Sequence, residues 1–207
     1  MKFKLLALVI LFVSTLANAT QFKLGKHYTE VKTPFKTEKS VIEFFSFYCP
    51  HCYKQEPVMK NLIANLPRDV IFTKNHVDGM PGKNLEIEQA LTKALITADI
   101  LKVKQQITPA IFSYIHKNKA NFNSIKDIKN IFLLNGIKEP DFDKTFNSFA
   151  VKTLFNKAQL KTAVLRKQGV TTVPTVIING KYKVETHKIS NQSQYNDLVI
   201  YLLTKNT

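Results

Sequence analysis

Val41-Ile42-Glu43-Phe44-Phe45-Ser46-Phe47-Tyr48-Cys49-Pro50-His51-Cys52 is the stretch on which the fold turns. Up to Tyr48 it is rich in β-branched and aromatic residues and mostly apolar on both faces, the pattern of a central, doubly covered strand in an α/β protein. Then the period changes. From Pro50 to about Leu66 the apolar spacing is helical, with Val58, Leu62, Ile63 and Leu66 on one side. Pro50 fits the first helical position, where its missing N–H costs nothing, and Pro57 predicts a kink further in. The two cysteines thus fall at the C-terminal end of a strand, where catalytic groups gather in open α/β sheets.

Cys49 and Cys52 are the only cysteines of the 207-residue chain. A disulfide between them would close almost no loop, so it is poorly placed to be a structural staple. It is well placed to cycle between dithiol and disulfide. At a strand-to-helix junction the first sulfur meets the free N–H groups and positive end of the helix, which favour the Cys49 thiolate. His51, when protonated, adds to this, while Cys52 lies a turn deeper. Cys49 is therefore the attacking and attacked sulfur and Cys52 the resolving one. If the Cys49 pKa fell from about 8.5 to about 4.5, the reduced form would gain roughly 3.4 kcal/mol at pH 7. That would raise the reduction potential by ~75 mV and make the disulfide a good oxidant. Zinc needs about four ligands, against two cysteines and scattered histidines here, so no metal is expected. Covalent haem needs His directly after the second cysteine, where Tyr53 stands.

The next short strand is Val70 to Lys74, and Lys26 to Val31 reads as an edge strand. Between residues 79 and 150 the pattern is helical without a strand signal, which predicts an inserted helical domain. Its helices are expected around Leu85–Ile96, over Pro109–Lys117, after a capping box at Ser124 and Asp127, and over Pro140–Phe149. A longer helix over Val151–Gln168 leads out. Thr175–Ile178, the Asn179-Gly180 turn and Lys181–Val184 form a hairpin, followed by a helix over Gln192–Leu203. The implied division is 20–78 and 151–207 as the α/β domain and 79–150 as the insertion.

Val173-Pro174 precedes the hairpin; it is either an ordinary trans turn proline or a cis bond in a tight approach to the cysteines. Glu43 and Lys74 sit in neighbouring strands and would be costly to bury unpaired. Either both face solvent, or they form a buried pair beneath the cysteines that helps protons reach Cys52.

Lys2 and Lys4, the apolar run Leu5–Leu16 and Ala17-Asn18-Ala19 read as a signal peptide over 1–19, cleaved after Ala19. The run is well short of the ~20 residues that span a bilayer. Export places the cysteines where disulfides persist. The formal charge of +15 comes almost wholly from dispersed lysines, with Arg68 and Arg166 the only arginines. Nucleic-acid sites concentrate charge and use arginine forks, so no nucleic-acid partner is expected.

The residues from Glu43 to Tyr53, with the helical insertion, Asn147-Ser148-Phe149, Gly169-Val170, Val173-Pro174 and Asn179–Tyr182, resemble the DsbA family of thiol:disulfide interchange proteins of Gram-negative bacteria. The similarity spans nearly all of the chain after the leader. It implies a thioredoxin fold with an inserted helical domain, acting in the periplasm with no cofactor beyond the Cys49–Cys52 redox-active disulfide. It implies unfolded exported proteins with reduced cysteines as substrates, and reoxidation by a DsbB-like inner-membrane quinone reductase. Carried over by position, Cys49 is the nucleophile, Cys52 the resolving cysteine, and Pro50 and His51 the dipeptide that tunes the potential. Val173 and Pro174 match a cis-proline substrate-binding loop, and Glu43 and Lys74 a buried charged pair. No added dimerisation region, as isomerases of this class carry, is found, so a monomer is expected. One departure is that the chain has no tryptophan, and Phe146 stands where the family pattern would place one.

Overall fold

The computed structural model describes residues 22–35 and 39–205. The signal-peptide reading of residues 1–19 lies outside them. The element order is β1 (Tyr28–Glu30), β2 (Ser40–Phe45), α1 (Pro50–Asn65), β3 (Ile71–His76), α2 (Leu85–Ile100), α3 (Lys104–Phe112), α4 (Ile125–Leu134), α5 (Glu139–Phe146), α6 (Phe149–Arg166), β4 (Thr175–Ile178), β5 (Tyr182–Val184) and α7 (Gln192–Thr204). A π-helical turn, Ser113–Lys117, continues α3, and a 3-10 turn covers Thr186–Lys188.

The five strands form one mixed sheet in the order β1-β5-β4-β2-β3, with β2 and β3 parallel and the other pairs antiparallel. Side chains alternate across a strand. Val41 joins Val176, Ile178 and Tyr182 on one face, covered by Met59 and Leu62 of α1 and by Leu198, Val199 and Leu202 of α7. Ile42, Phe44 and Ile177 point to the other face, toward Leu165 of α6. Glu43 shares the parity of Val41, which turns its carboxylate toward α1. A third cluster fuses the helices α2–α5 to the sheet end: Leu91, Ile107, Phe112 and Phe132 pack in one contiguous core with Phe45, Phe47, Cys49 and Cys52.

Several local expectations are met for the stated reasons. Asn179 and Gly180 have φ of 52° and 63°, the left-handed pair that a two-residue hairpin demands. Ser124 and Asp127 form a complete capping box on α4. Others are corrected. The strand β2 ends at Phe45, because Ser46–Cys49 closes a turn with the Cys49 N–H on the Ser46 carbonyl at 3.1 Å. The second helix begins at Lys104, upstream of Pro109, because Ile107 and Thr108 bury with Ile111 and Phe112 and draw the preceding turn into the helix. On α1, Leu62 is buried with Met59, Val58 and Leu66 pack against the same core, and Cys52 is buried as well, while Ile63 faces outward.

Candidate active site

Cys49 is the N-cap of α1. Ser, Asp and Asn usually fill that place, because an oxygen there accepts a backbone N–H of the first turn. Here a sulfur does so: the Cys52 N–H donates to Cys49 Sγ at 3.4 Å. Pro50 takes the first helical position, and no acidic residue stands in the first turn to oppose an anion at the cap. Both cysteines are free thiols in this structure and both are buried, Cys49 at 4% exposure and Cys52 at 0%. Pro50 and His51 are exposed beside them.

The two thiols titrate in opposite directions. Cys49 is pushed down to about 6, first by the hydrogen bond from the Cys52 thiol, against desolvation, and then by the Cys52 and His51 N–H groups and the charge of His51. Cys52 is driven up by the same thiol–thiol bond, by burial, and by the charges of Cys49 and Glu43. A Cys49 pKa near 6 rather than 4.5 stabilises the reduced form at pH 7 by about 1.4 kcal/mol, or ~30 mV. The direction is the one expected from the sequence.

The Val173–Pro174 peptide bond is cis, and the Cys49 thiol donates to the Val173 carbonyl at 3.5 Å. The loop before β4 therefore faces the cysteines. Beside it lies an open depression of about 580 Å³, bordered by His51, Lys54, Val58, Pro174, Ile189 and Tyr195.

Glu43 and Lys74 are direct register partners on β2 and β3. Lys74 Nζ lies 2.9 Å from Glu43 Oε2, and the two side chains are 8% and 0% exposed, so the pair is buried rather than solvent-facing. Burial raises Glu43 to about 7, outweighing the pull of Lys74. The salt bridge does not satisfy the carboxylate: its oxygens make no well-aligned hydrogen bond among the described residues, and neither does the buried Tyr195 hydroxyl. Lys74 also pairs with Glu56 of α1. Burial works against the ammonium, yet the two carboxylates together hold its pKa above the ordinary lysine value. Sequence reasoning missed Glu56. The signal was its spacing: Cys52 and Glu56 stand at i and i+4, so a helix that turns Cys52 inward turns Glu56 the same way.

His116, on the π-helical turn, was missed as well. Its Nε2–H donates to the Phe47 carbonyl at 2.8 Å, and its ring stacks on Tyr53 at 5.0 Å and 8°. Phe146 is buried and stacks on Phe142 at 5.1 Å. Among the described residues, no group of three or more His, Cys, Asp or Glu side chains is gathered to hold a metal. No helix among them is long and apolar enough to cross a membrane.

A sheet in which an interior strand, β2, feeds a Cys-x-x-Cys helix, with a cis-proline loop opposite the first sulfur, defines a dithiol–disulfide oxidoreductase of the thioredoxin class. Residues 40–197 match the model of the DSBA-like thioredoxin domain family, and the chain belongs to that family. It is 35% identical over 209 residues to the thiol:disulfide interchange protein DsbA of Escherichia coli K12, covering 97% of each chain. It is 36% identical over 214 residues to DsbA of Pectobacterium carotovorum, covering 98% of this chain and 97% of that one. Among solved structures, a DsbA variant from Proteus mirabilis with a non-covalently bound peptide PWATCDS superposes with a TM-score of 0.80 at 32% identity, over 89% of this chain and 100% of that one. The fold is thus the thioredoxin fold of DsbA, and the protein is a thiol:disulfide oxidoreductase.

Proposed function

We propose that this protein is a periplasmic disulfide donor to exported proteins, with the signal peptide removed after Ala19 and the mature chain acting as a monomer. The observation that carries the reading is the placement of the pair: Cys49 caps α1, with the Cys52 N–H 3.4 Å from its sulfur and the Val173 carbonyl of the cis-proline loop 3.5 Å away, while Cys52 is fully buried one turn on. A thiolate of an unfolded substrate attacks Cys49 Sγ of the disulfide. The Cys49–Cys52 bond breaks, a mixed disulfide forms at Cys49, and Cys52 leaves with the electron pair. A sulfur with a raised pKa is a poor leaving group unless it takes a proton. Glu43, poised near 7 and tied through Lys74 to Glu56 at the edge of the site, is the group suited to relay that proton. A second substrate thiolate then attacks the substrate sulfur of the mixed disulfide and expels Cys49 as the stabilised thiolate. Two electrons have passed to the pair, the substrate holds a disulfide, and a DsbB-like membrane quinone reductase takes the electrons onward.

In this reading Pro50 and His51 tune the potential, and Val173 and Pro174 present backbone to the substrate strand. The neighbouring depression receives residues flanking the substrate cysteine, in keeping with the peptide carried by the Proteus mirabilis relative. Residues 79–150 form an inserted helical domain, and residues 20–78 with 151–207 the thioredoxin-like domain. No cofactor beyond the disulfide itself is needed. The test is to mix oxidised protein with a reduced, unfolded, cysteine-containing substrate and follow thiol loss. Rapid transfer is expected, and Cys52→Ala should accumulate mixed disulfides. Absence of transfer would sink the proposal.

A further inference from the structure

The helical block does more than cover the dithiol; one of its side chains holds both ends of the motif. His116 lies 69 positions from Phe47 in the chain, yet its Nε2 is 2.8 Å from the Phe47 carbonyl. A carbonyl only accepts, so Nε2 carries the proton and donates. Phe47 is the second residue of the turn that Cys49 N–H closes onto Ser46. On the other side of the motif, Tyr53 follows Cys52 directly, and its ring lies flat on the His116 ring, with Phe112 5.9 Å from the His116 ring. His116 is delivered by the π-helical turn, whose wider bonding is recorded in the Asn118 N–H on the Ser113 carbonyl at 2.9 Å. Such turns recur at functional sites because they re-aim side chains from a helix.

We propose that His116 is a positioning residue for the Cys49–Cys52 centre, fixing the turn before Cys49 through the Phe47 carbonyl and the first turn of α1 through Tyr53. The Cys52 N–H lies 3.4 Å from Cys49 Sγ and, with the Cys52 thiol and the His51 N–H, favours its thiolate; such contacts weaken steeply with misalignment. Releasing the turn from its anchor lets the sulfur drift from the Cys52 and His51 N–H groups. The inference rests on Cys49 being the reacting thiolate and goes beyond it, because it assigns the helical block a share in setting the thiolate.

The experiment titrates the thiolate ultraviolet absorbance of the reduced protein and of two variants that keep side-chain bulk. His116→Phe retains the ring and loses the donor; His116→Gln loses the ring and retains an N–H within reach of the carbonyl. The expected result is a Cys49 that is about tenfold less acidic in His116→Phe. Its equilibrium with glutathione at pH 7 should shift by roughly fivefold toward keeping the disulfide. His116→Gln should stay within about twofold of the unaltered protein, the donor alone supplying most of the anchoring. A purely structural role would lower the melting temperature of both variants and leave the titration unmoved. Coincident midpoints for His116→Phe and the unaltered protein, or an equal shift in both variants, would overturn the proposal. An ordinary thiol midpoint in the unaltered protein would instead strike the reading of Cys49 itself, and this inference with it.

Discussion

Cys49 and Cys52 are one helical turn apart and sit in opposite chemical surroundings. Around Cys49 stand three donors, the Cys52 thiol and N–H and the N–H of His51, together with the charge of His51. Around Cys52 stand the Cys49 sulfur, the closed apolar core and the Glu43 carboxylate, with Lys74 and Glu56 beyond it. Geometry alone separates them. The N-cap position turns the first sulfur into the acceptor of the helix, and three residues later the helix turns the second into the sheet face that carries Glu43. In the proposed mechanism one Cys-x-x-Cys motif therefore holds a stabilised leaving group at its rim and a proton-demanding one on its floor. On the proposed function, that asymmetry sets the direction of transfer.

The comparison breaks most completely at the rim. Cys49→Ser should abolish thiol oxidation, because Cys52 alone has no partner with which to form the disulfide that is donated, while keeping a hydrogen-bonding cap. Cys49→Ala should abolish it too and cost a further 0.5–2 kcal/mol of stability, measured by urea unfolding. The next effect is on linkage. The folded Cys49 pKa, about 6, lies below its ordinary value of 9.0, so the unfolded reduced chain binds more protons between those limits. The stability of the reduced form relative to the oxidised form should therefore rise with pH, by about 1.4 kcal/mol at pH 7 and toward about 4 kcal/mol by pH 9, and vanish below pH 6. Parallel unfolding of both redox forms across this range checks it; a flat difference would remove the stabilised thiolate.

On the floor the sign reverses. Glu43 is raised from 4.5 to about 7, so the folded state binds more protons in that window and its contribution to stability falls as pH rises through it. Glu43→Gln should erase this slope and slow substrate oxidation severalfold by removing the proton relay. Faster oxidation in this variant would contradict the relay. The smallest effect belongs to His51, whose charge is the last of the influences on Cys49. His51→Ala should shift the equilibrium with glutathione by about two- to threefold toward the retained disulfide.

How much of this the sequence discloses follows the range of the interactions involved. Strand, junction and hairpin are written locally, in the apolar run to Phe45, in Pro50 at the first helical position and in Asn179-Gly180. The burial of Glu43 opposite Lys74 could be framed from sequence but not decided, because it depends on β2 and β3 pairing in parallel at that register. The cis bond at Val173–Pro174 was undecided for the same reason: only the approach to Cys49 distinguishes it from a turn proline. Glu56 was hidden by attention to apolar spacing on α1, which also placed Ile63 inside although it is 46% exposed. His116 carries no local signal at all, since it reaches the site through a π-helical turn and a contact across 69 positions. The depth of the Cys49 shift likewise needed the third dimension, where burial offsets part of what the helix start provides.

The most direct test of the asymmetry is the equilibrium of the Cys49–Cys52 pair with a glutathione redox buffer at pH 7. A stabilised Cys49 thiolate predicts a potential above the −270 mV of a reducing thioredoxin, by roughly the 30 mV that the Cys49 shift supplies at pH 7. A value at or below that of thioredoxin would mean that the disulfide is kept rather than donated, and would contradict the account.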